Sequence, residues 1–483
     1  MKKFALIFVV VFCLPFFLVG CSDENEINFY KINALYDDKS QTLDCTQEVV
    51  YVNNSDNALD KICFFLYANA FDEGQTAVPK SYLDKAYPNG ESFGNISFED
   101  VKIENEEAEY EINENKNILT VSLNSQLFPE EKISIEMDYT IALANINHRL
   151  GYGDNAVNFG NFFPIACVYE DGIGFVENQF SASGDPFYSD VANFDVNITY
   201  PDDYVFASSG NCEIKDLESG GKEASCVGDN IRDFCFVLSK NFQVIQDKVG
   251  EIDIKYYFYD DANAQDHLQT AVKAVETFQD LFGEYPYQQL SIVQTNFCFG
   301  GMEYPNLVMI SDAVDVEAID YVIVHEIAHQ WWYGVVGNNE YEDSWVDEGL
   351  TEFSTALFFE RNEEYGLKYD IIMENALNTY KNFVSIFTKI NGDVDESMNR
   401  NLNQFNTEPE YVNCIYTKGM LLFDNLRHSM SEKKFFACLK GYYKNYKFKN
   451  SSSEKLIESF CKSANSNLEN YFNAWISGEV VFN

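Results

Sequence analysis

The chain of 483 residues carries 33 lysines and arginines against 77 aspartates and glutamates, a formal net charge of −44. That balance argues against a nucleic-acid partner and against attraction to anionic lipid through the protein surface. With 46% hydrophobic and 16% aromatic residues there is material for real cores, so disorder is excluded, and the length suits two or three domains.

Lys2 and Lys3 precede an apolar run from Phe4 to Val19, and Leu18-Val19-Gly20-Cys21 follows at its end. A basic start, a short apolar stretch and a small residue before the cut mark an export signal. The ending resembles a bacterial lipobox, which implies an acylated Cys21 as the mature N-terminus after loss of the signal. Residues 1–21 are therefore set apart as signal peptide and lipobox. An uncleaved span is the alternative, but the run is short against the about 20 residues a bilayer needs and contains Pro15. The expected location is the bacterial cell envelope, with the rest of the chain outside the cytoplasm and held to the membrane through Cys21. None of the remaining cysteines forms a Cys-x-x-Cys pair, so a cysteine zinc site is not expected. Cys212 and Cys226 suit a hairpin staple in an oxidising compartment, with buried free thiols the alternative.

Residues 22–250 read as β. Apolar side chains alternate through Ile133, Ile135, Met137, Tyr139 and Ile141, and again through Phe194, Val196, Ile198 and Tyr200. Ile118 to Leu123 contains the same period, which predicts half-buried strands in a largely antiparallel sheet system. The pattern changes near residue 250. Ala264 to Phe282 places Leu268, Ala271, Val275, Phe278 and Leu281 at helical spacing and stops at Gly283. Short strands are expected at Leu290 to Val293 and Leu307 to Ile310, then mostly helices to Trp475. The fold class is α+β multidomain: an N-terminal antiparallel β domain, then an α+β domain over 251–483.

The chemistry lies in this second domain. His325 and His329, two of five histidines, are four residues apart and so share one helix face, offering two imidazoles to one point. Glu326 sits one residue round the helix, within reach of a water at that point. Glu348 follows His329 after 18 intervening residues and supplies a third donor from a second helix expected near Trp345. Three donors with an open fourth position describe a catalytic zinc, one ion per chain.

The strings HEIAHQWWYGVV and SWVDEGLTEF resemble the core of peptidase family M1, the gluzincins related to aminopeptidase N and leukotriene hydrolase. Gly300-Gly301-Met302-Glu303-Tyr304 resembles that family's exopeptidase motif, with Tyr304 where the motif has Asn. Tyr416-Thr417-Lys418-Gly419 resembles its Tyr-x-Lys-Gly, and Phe282-Gly283-Glu284-Tyr285-Pro286-Tyr287 the entry to its catalytic domain. The resemblance implies a saddle-like β domain ahead of a thermolysin-like zinc peptidase domain, in a short form without the C-terminal helical domain of many relatives.

It implies roles as well. His325, His329 and Glu348 would hold zinc, and Glu326 would be the general base. Tyr416 would donate to the oxyanion; Tyr411, five residues away, lacks the adjoining Lys-Gly. Glu303 would anchor the free α-amino group of a peptide, with Gly300, Gly301 and Met302 forming the substrate edge beside it. Glu352 is either an acceptor for a ligand histidine's N–H or a surface carboxylate. Glu177, Gln179 and Asp185 are loose candidates for a β-domain share of the amine pocket. The expected activity is release of N-terminal residues from peptides, the alternatives being a zinc endopeptidase and a non-catalytic peptide-binding surface protein.

Overall fold

The computed structural model describes residues 26–75 and 77–480; Cys21 and the export signal lie outside the described residues. Strands β1 (Asn28–Asp37), β2 (Thr42–Val52), β3 (Asn95–Ile103), β4 (Glu106–Glu107), β5 (Lys132–Ala142), β6 (Ala192–Tyr200), β7 (Asn211–Asp216) and β8 (Lys222–Ile231) form one sheet in the order β7-β8-β6-β1-β2-β5-β3-β4. Burial alternates strictly along β6, as a strand with one face on a core requires. Its pairing with β1 is parallel while the other ladders of this sheet are antiparallel. Two four-stranded sheets pack with it around one apolar core. The edge hairpin β7–β8 is closed by a Cys212–Cys226 disulfide, so the expected staple is present.

The second sheet opens with β9 (Gln243–Val249), which pairs with β10 (Ile252–Phe258) and therefore begins ahead of the boundary read near residue 250. Gly250 turns this hairpin, so the change of pattern near residue 250 falls inside the second sheet. Helix α1 (Ala264–Leu281) follows, then β11 (Gln289–Thr295), β12 (Gly301–Met302) and β13 (Leu307–Ser311), in the sheet order β9-β10-β11-β13-β12. The β10, β11 and β13 ladders are parallel, and β11 and β13 are buried along their whole length, which explains their continuous apolar sequence. Helices α2 (Ile319–Ala328), α3 (Glu340–Arg361), α4 (Tyr369–Asn391) and α5 (Lys418–Ser429) pack beyond it.

The two halves share a sealed boundary. Phe297, Met302, Leu307 and Met309 of the second half belong to the apolar core of the first. Arg232, fully buried, donates to the carbonyls of Ser189 at 2.6 Å and Gly334 at 3.3 Å and to Asn450 Oδ1 at 2.7 Å. Among the described residues no helix is long and apolar enough to cross a membrane.

Candidate metal centre

Helix α2 carries His325 on its last full turn, with His329 capping its end, and α3 brings Glu348 across from the facing side. The three donor atoms converge. His325 Nε2 and His329 Nε2 are 3.2 Å apart, and Glu348 Oε2 lies 3.4 Å from the first and 3.3 Å from the second. Donors held about 2.0–2.2 Å from a tetrahedral ion stand about 3.3–3.6 Å from one another, so the spacing fits zinc. Glu348 Oε2 is buried and has no hydrogen-bond partner, as an atom reserved for a cation would be.

Each histidine is held from behind. His325 Nδ1 lies 2.9 Å from Glu352 Oε2, and the Tyr321 hydroxyl donates to Glu352 Oε1 at 2.7 Å. Glu352 is thus placed to accept from His325 Nδ1, with a side chain only 18% exposed. His329 Nδ1 lies 2.7 Å from Asp347 Oδ1 and 3.2 Å from the Thr351 hydroxyl. With their N–H groups turned to carboxylates, both rings point Nε2 at the shared point. Asp347 was not singled out in the sequence, although it directly precedes Glu348; one step round a helix from a ligand was the available signal. Burial opposes a charge on His325, but Glu348 and Glu352 outweigh it and raise its pKa to about 10. The pocket is set for positive charge.

Glu326 projects beside the donors, 5% exposed, with Oε2 unpartnered. Burial pushes its carboxyl up to about 7, against the pull of His325 and His329. A Cβ on Gly301 would stand 2.4 Å from Glu326 Oε1, so a glycine is needed there to let Glu326 lie against β12. Gly301 therefore contacts Glu326, while Gly300 has only Val322 near its Cβ direction and Met302 is buried in the β12–β13 ladder. Glu303, at the end of that edge, is 3% exposed with Oε1 unpartnered, and burial pushes its carboxyl well above the usual range.

Tyr416 stacks on the His325 ring, with centroids 6.0 Å apart, and its hydroxyl donates to Glu348 Oε1. Two glycines set this contact. α5 crosses α3 at Gly419 and Gly349, and a Cβ on Gly419 would come within 2.7 Å of Gly349 Cα. The close crossing brings the Tyr-x-Lys-Gly segment down onto Glu348. Tyr411 packs edge-on against Tyr416 at 5.7 Å, whereas Tyr416 itself bonds Glu348, so Tyr416 is the one placed on the centre.

From the β domain, Asp185 reaches the site region, paired with buried Arg149, and its charge acts on Glu326. Glu177 stands 3.8 Å from Lys61 on the surface and Gln179 is exposed, so neither joins it. Tyr304, fully buried, donates its hydroxyl to Asn161 of the β domain. The residue that departs from the exopeptidase motif is thereby absorbed into the domain boundary. Glu340, in the turn that opens α3, is 2% exposed with both carboxylate oxygens unpartnered. No sequence pattern pointed to it.

A helix pair presenting two histidines and a glutamate to one point, with a glutamate base beside them, defines a metallopeptidase-type centre. Residues 267–475 match the peptidase family M1 domain. Leukotriene A-4 hydrolase of Xenopus laevis is 28% identical over 194 residues, 38% of this chain and 30% of that protein. Aminopeptidase N of Lactococcus lactis subsp. lactis is 21% identical over 240 residues, 44% of this chain and 27% of that protein. The matched stretches span less than a third of either relative. The crystal structure of the M1 zinc metallopeptidase from Deinococcus radiodurans superposes with a TM-score of 0.65 at 14% identity, covering 95% of each chain. The two-part architecture is therefore that of M1 metallopeptidases.

Proposed function

We propose that the protein is a zinc aminopeptidase anchored outside the cytoplasm, which hydrolyses the first peptide bond of peptides with a free N-terminus. The observation that carries this reading is the convergence of His325, His329 and Glu348 within 3.4 Å, flanked by a buried base on one side and a buried carboxylate edge on the other. Zinc held by those three residues supplies Lewis acidity toward the attacking water and the scissile carbonyl.

The remaining work falls to side chains. Glu326, its carboxyl raised to about 7 by burial, is poised to take a proton from water and return it to the leaving amine near neutral pH. Tyr416 turns its hydroxyl from Glu348 to the developing oxyanion, a bond made fully only as charge builds there. Glu303 accepts from the substrate ammonium and sets the first peptide bond over the centre. Because Tyr304 is bonded to Asn161, the altered motif leaves Glu303 Oε1 free, which favours the aminopeptidase over an endopeptidase with an unused amine site.

Replacing Glu326 by Gln tests the mechanism: turnover disappears while one zinc per chain stays bound. Undiminished turnover in that variant would overturn it. The anchor rests on the lipobox-like Leu-Val-Gly-Cys alone. Partition of the whole protein into detergent, abolished in Cys21→Ser, tests that part, and equal partition of both proteins contradicts it.

A further inference from the structure

Tyr416 is carried by a turn that does not hold its own register. Asn413–Thr417 winds as a π turn between the short helix Glu408–Val412 and α5, so it contains one residue more than an α turn would. Relaxation to α geometry would slip the segment by one residue and swing its side chains about 100° round the axis. That slip would take the Tyr416 hydroxyl away from Glu348, to which it donates. Two buried cations pin the turn, one on each side. Lys418, fully buried, stands two residues after Tyr416 and donates Nζ to the Glu396 carbonyl at 2.6 Å. Arg400, 8% exposed, donates Nη1 to Glu410 in the helix ahead of the turn, and Nη2 to Cys414 Sγ in the turn itself at 3.6 Å. The same guanidinium donates to the carbonyls of Asp395 at 3.0 Å and Ser397 at 3.1 Å. The carbonyls of three consecutive residues thus receive both cations. Their loop is itself tied down. The Met398 N–H donates to the Ile476 carbonyl at 2.7 Å, and the Tyr380 hydroxyl to Glu396 Oε2 at 2.8 Å.

We propose that Arg400 is a positioning residue for the oxyanion donor: its guanidinium holds the turn Asn413–Thr417 in the register that aims Tyr416 at the metal centre. This rests on the role of Tyr416 in the aminopeptidase reading and deepens it. A guanidinium suits the task because its planar fork of donors keeps a carboxylate and carbonyls at fixed angles. A lysine ammonium, with three donors on one atom, cannot span Glu410, Cys414 and two carbonyls together. A buried arginine–glutamate pair contributes little stability beyond what apolar side chains of similar volume would give, so its presence beside this turn points to geometry. A second path leads the same way. The guanidinium lies over the Phe405 ring at 4.1 Å, Phe405 packs edge-on against Tyr411 at 5.4 Å, and Tyr411 edge-on against Tyr416 at 5.7 Å. Arg400 therefore acts through Tyr416 and not on the substrate.

A double-variant cycle on the zinc-loaded protein tests this, using the fastest-cleaved member of a panel of aminoacyl p-nitroanilides. Arg400→Met keeps an apolar stem and removes the fork. It is expected to lower kcat about 100-fold, as a displacement of about 1 Å in a reacting group does, with KM and zinc content unchanged. In the Tyr416→Phe background the same substitution is expected to cost less than about threefold, because no hydroxyl is left to misplace. Arg400→Lys, which keeps the charge, is expected to recover part of the loss and stand about tenfold below the wild type. Binding of the phosphonic acid analogue of leucine, a stand-in for the tetrahedral oxyanion, reads the same geometry without turnover. Arg400→Met and Tyr416→Phe are each expected to bind it about tenfold or more weakly than the wild type. Should Arg400→Met fail to fold, Glu410→Gln, which loosens the clamp but keeps a neutral acceptor, takes its place in the cycle with an expected loss of about tenfold. Losses that multiply in the double variant, or a change confined to KM or zinc content, overturn the role of Arg400 while sparing that of Tyr416. Wild-type kcat in folded Arg400→Met does the same. Full kcat in Tyr416→Phe overturns the reading of Tyr416 and this proposal with it.

Discussion

Removing the carboxylates behind the histidines should weaken zinc unequally. Glu352 holds His325 Nδ1 at 2.9 Å and is itself oriented by Tyr321; its side chain is 18% exposed, so in Glu352→Ala water can take over the N–H. Asp347 holds His329 Nδ1 at 2.7 Å with a side chain only 2% exposed, leaving the Thr351 hydroxyl at 3.2 Å and the Trp332 carbonyl at 3.4 Å, both uncharged, as substitutes. Partners of this kind are worth about 10–100-fold in metal affinity. Glu352→Ala is therefore expected near tenfold, about 1.4 kcal/mol, and Asp347→Ala near 100-fold, about 2.8 kcal/mol. The carboxylates act on different ligands, so the double variant should approach about 1,000-fold, the product of the two. Competition for zinc against a chromogenic chelator at neutral pH measures all three, with circular dichroism confirming the fold. Wild-type zinc affinity in both folded single variants would refute the claim that these carboxylates orient the ligands.

Tyr416→Phe should lower kcat by about 100- to 1,000-fold with zinc content and KM nearly unchanged, as loss of one oxyanion donor does; steady-state kinetics decide, and a change in KM alone contradicts the role. Gly419→Ala should destabilise the protein by about 1–3 kcal/mol, because its Cβ meets Gly349 backbone and neither helix can yield cheaply; denaturant unfolding reads this, and an unchanged midpoint refutes the close crossing. Asp233 offers a pH test. Burial pushes its carboxyl up to about 8, well above the unfolded value, so the folded state binds the extra proton between about pH 4 and 8. Its stabilising contribution is full below that window and is lost as pH rises through about 8. In Asp233→Asn the fall in Tm between pH 5 and 8.5 should be smaller, and an identical fall in both proteins counts against the shift.

What could be read from sequence followed the range over which each signal acts. Period-two runs named the strands at 133–141 and 194–200, and α1 was read to within one residue at its end, because burial on one face dictates those patterns locally. The convergence of His325 and His329 was legible because helix geometry converts a spacing of four into one face. Tyr416 needed the family's Lys-Gly, whose physical reason appears only in the crossing of Gly419 on Gly349. Glu340 and Arg149 were invisible: a carboxylate in a turn and an arginine in the β domain acquire meaning only when the chain folds them against Glu303 and Asp185. The boundary near 250 was drawn late because Gly250 turns a hairpin within the second sheet, and a hairpin turn and a domain seam have the same local composition.

The most direct test uses one peptide with a free N-terminus and its N-acetylated twin, incubated with protein lacking residues 1–21 and followed by mass spectrometry with and without a zinc chelator. Stepwise, chelator-sensitive loss of single residues from the free peptide alone is the expected result. Internal cleavage of both peptides would contradict it and make the centre that of an endopeptidase.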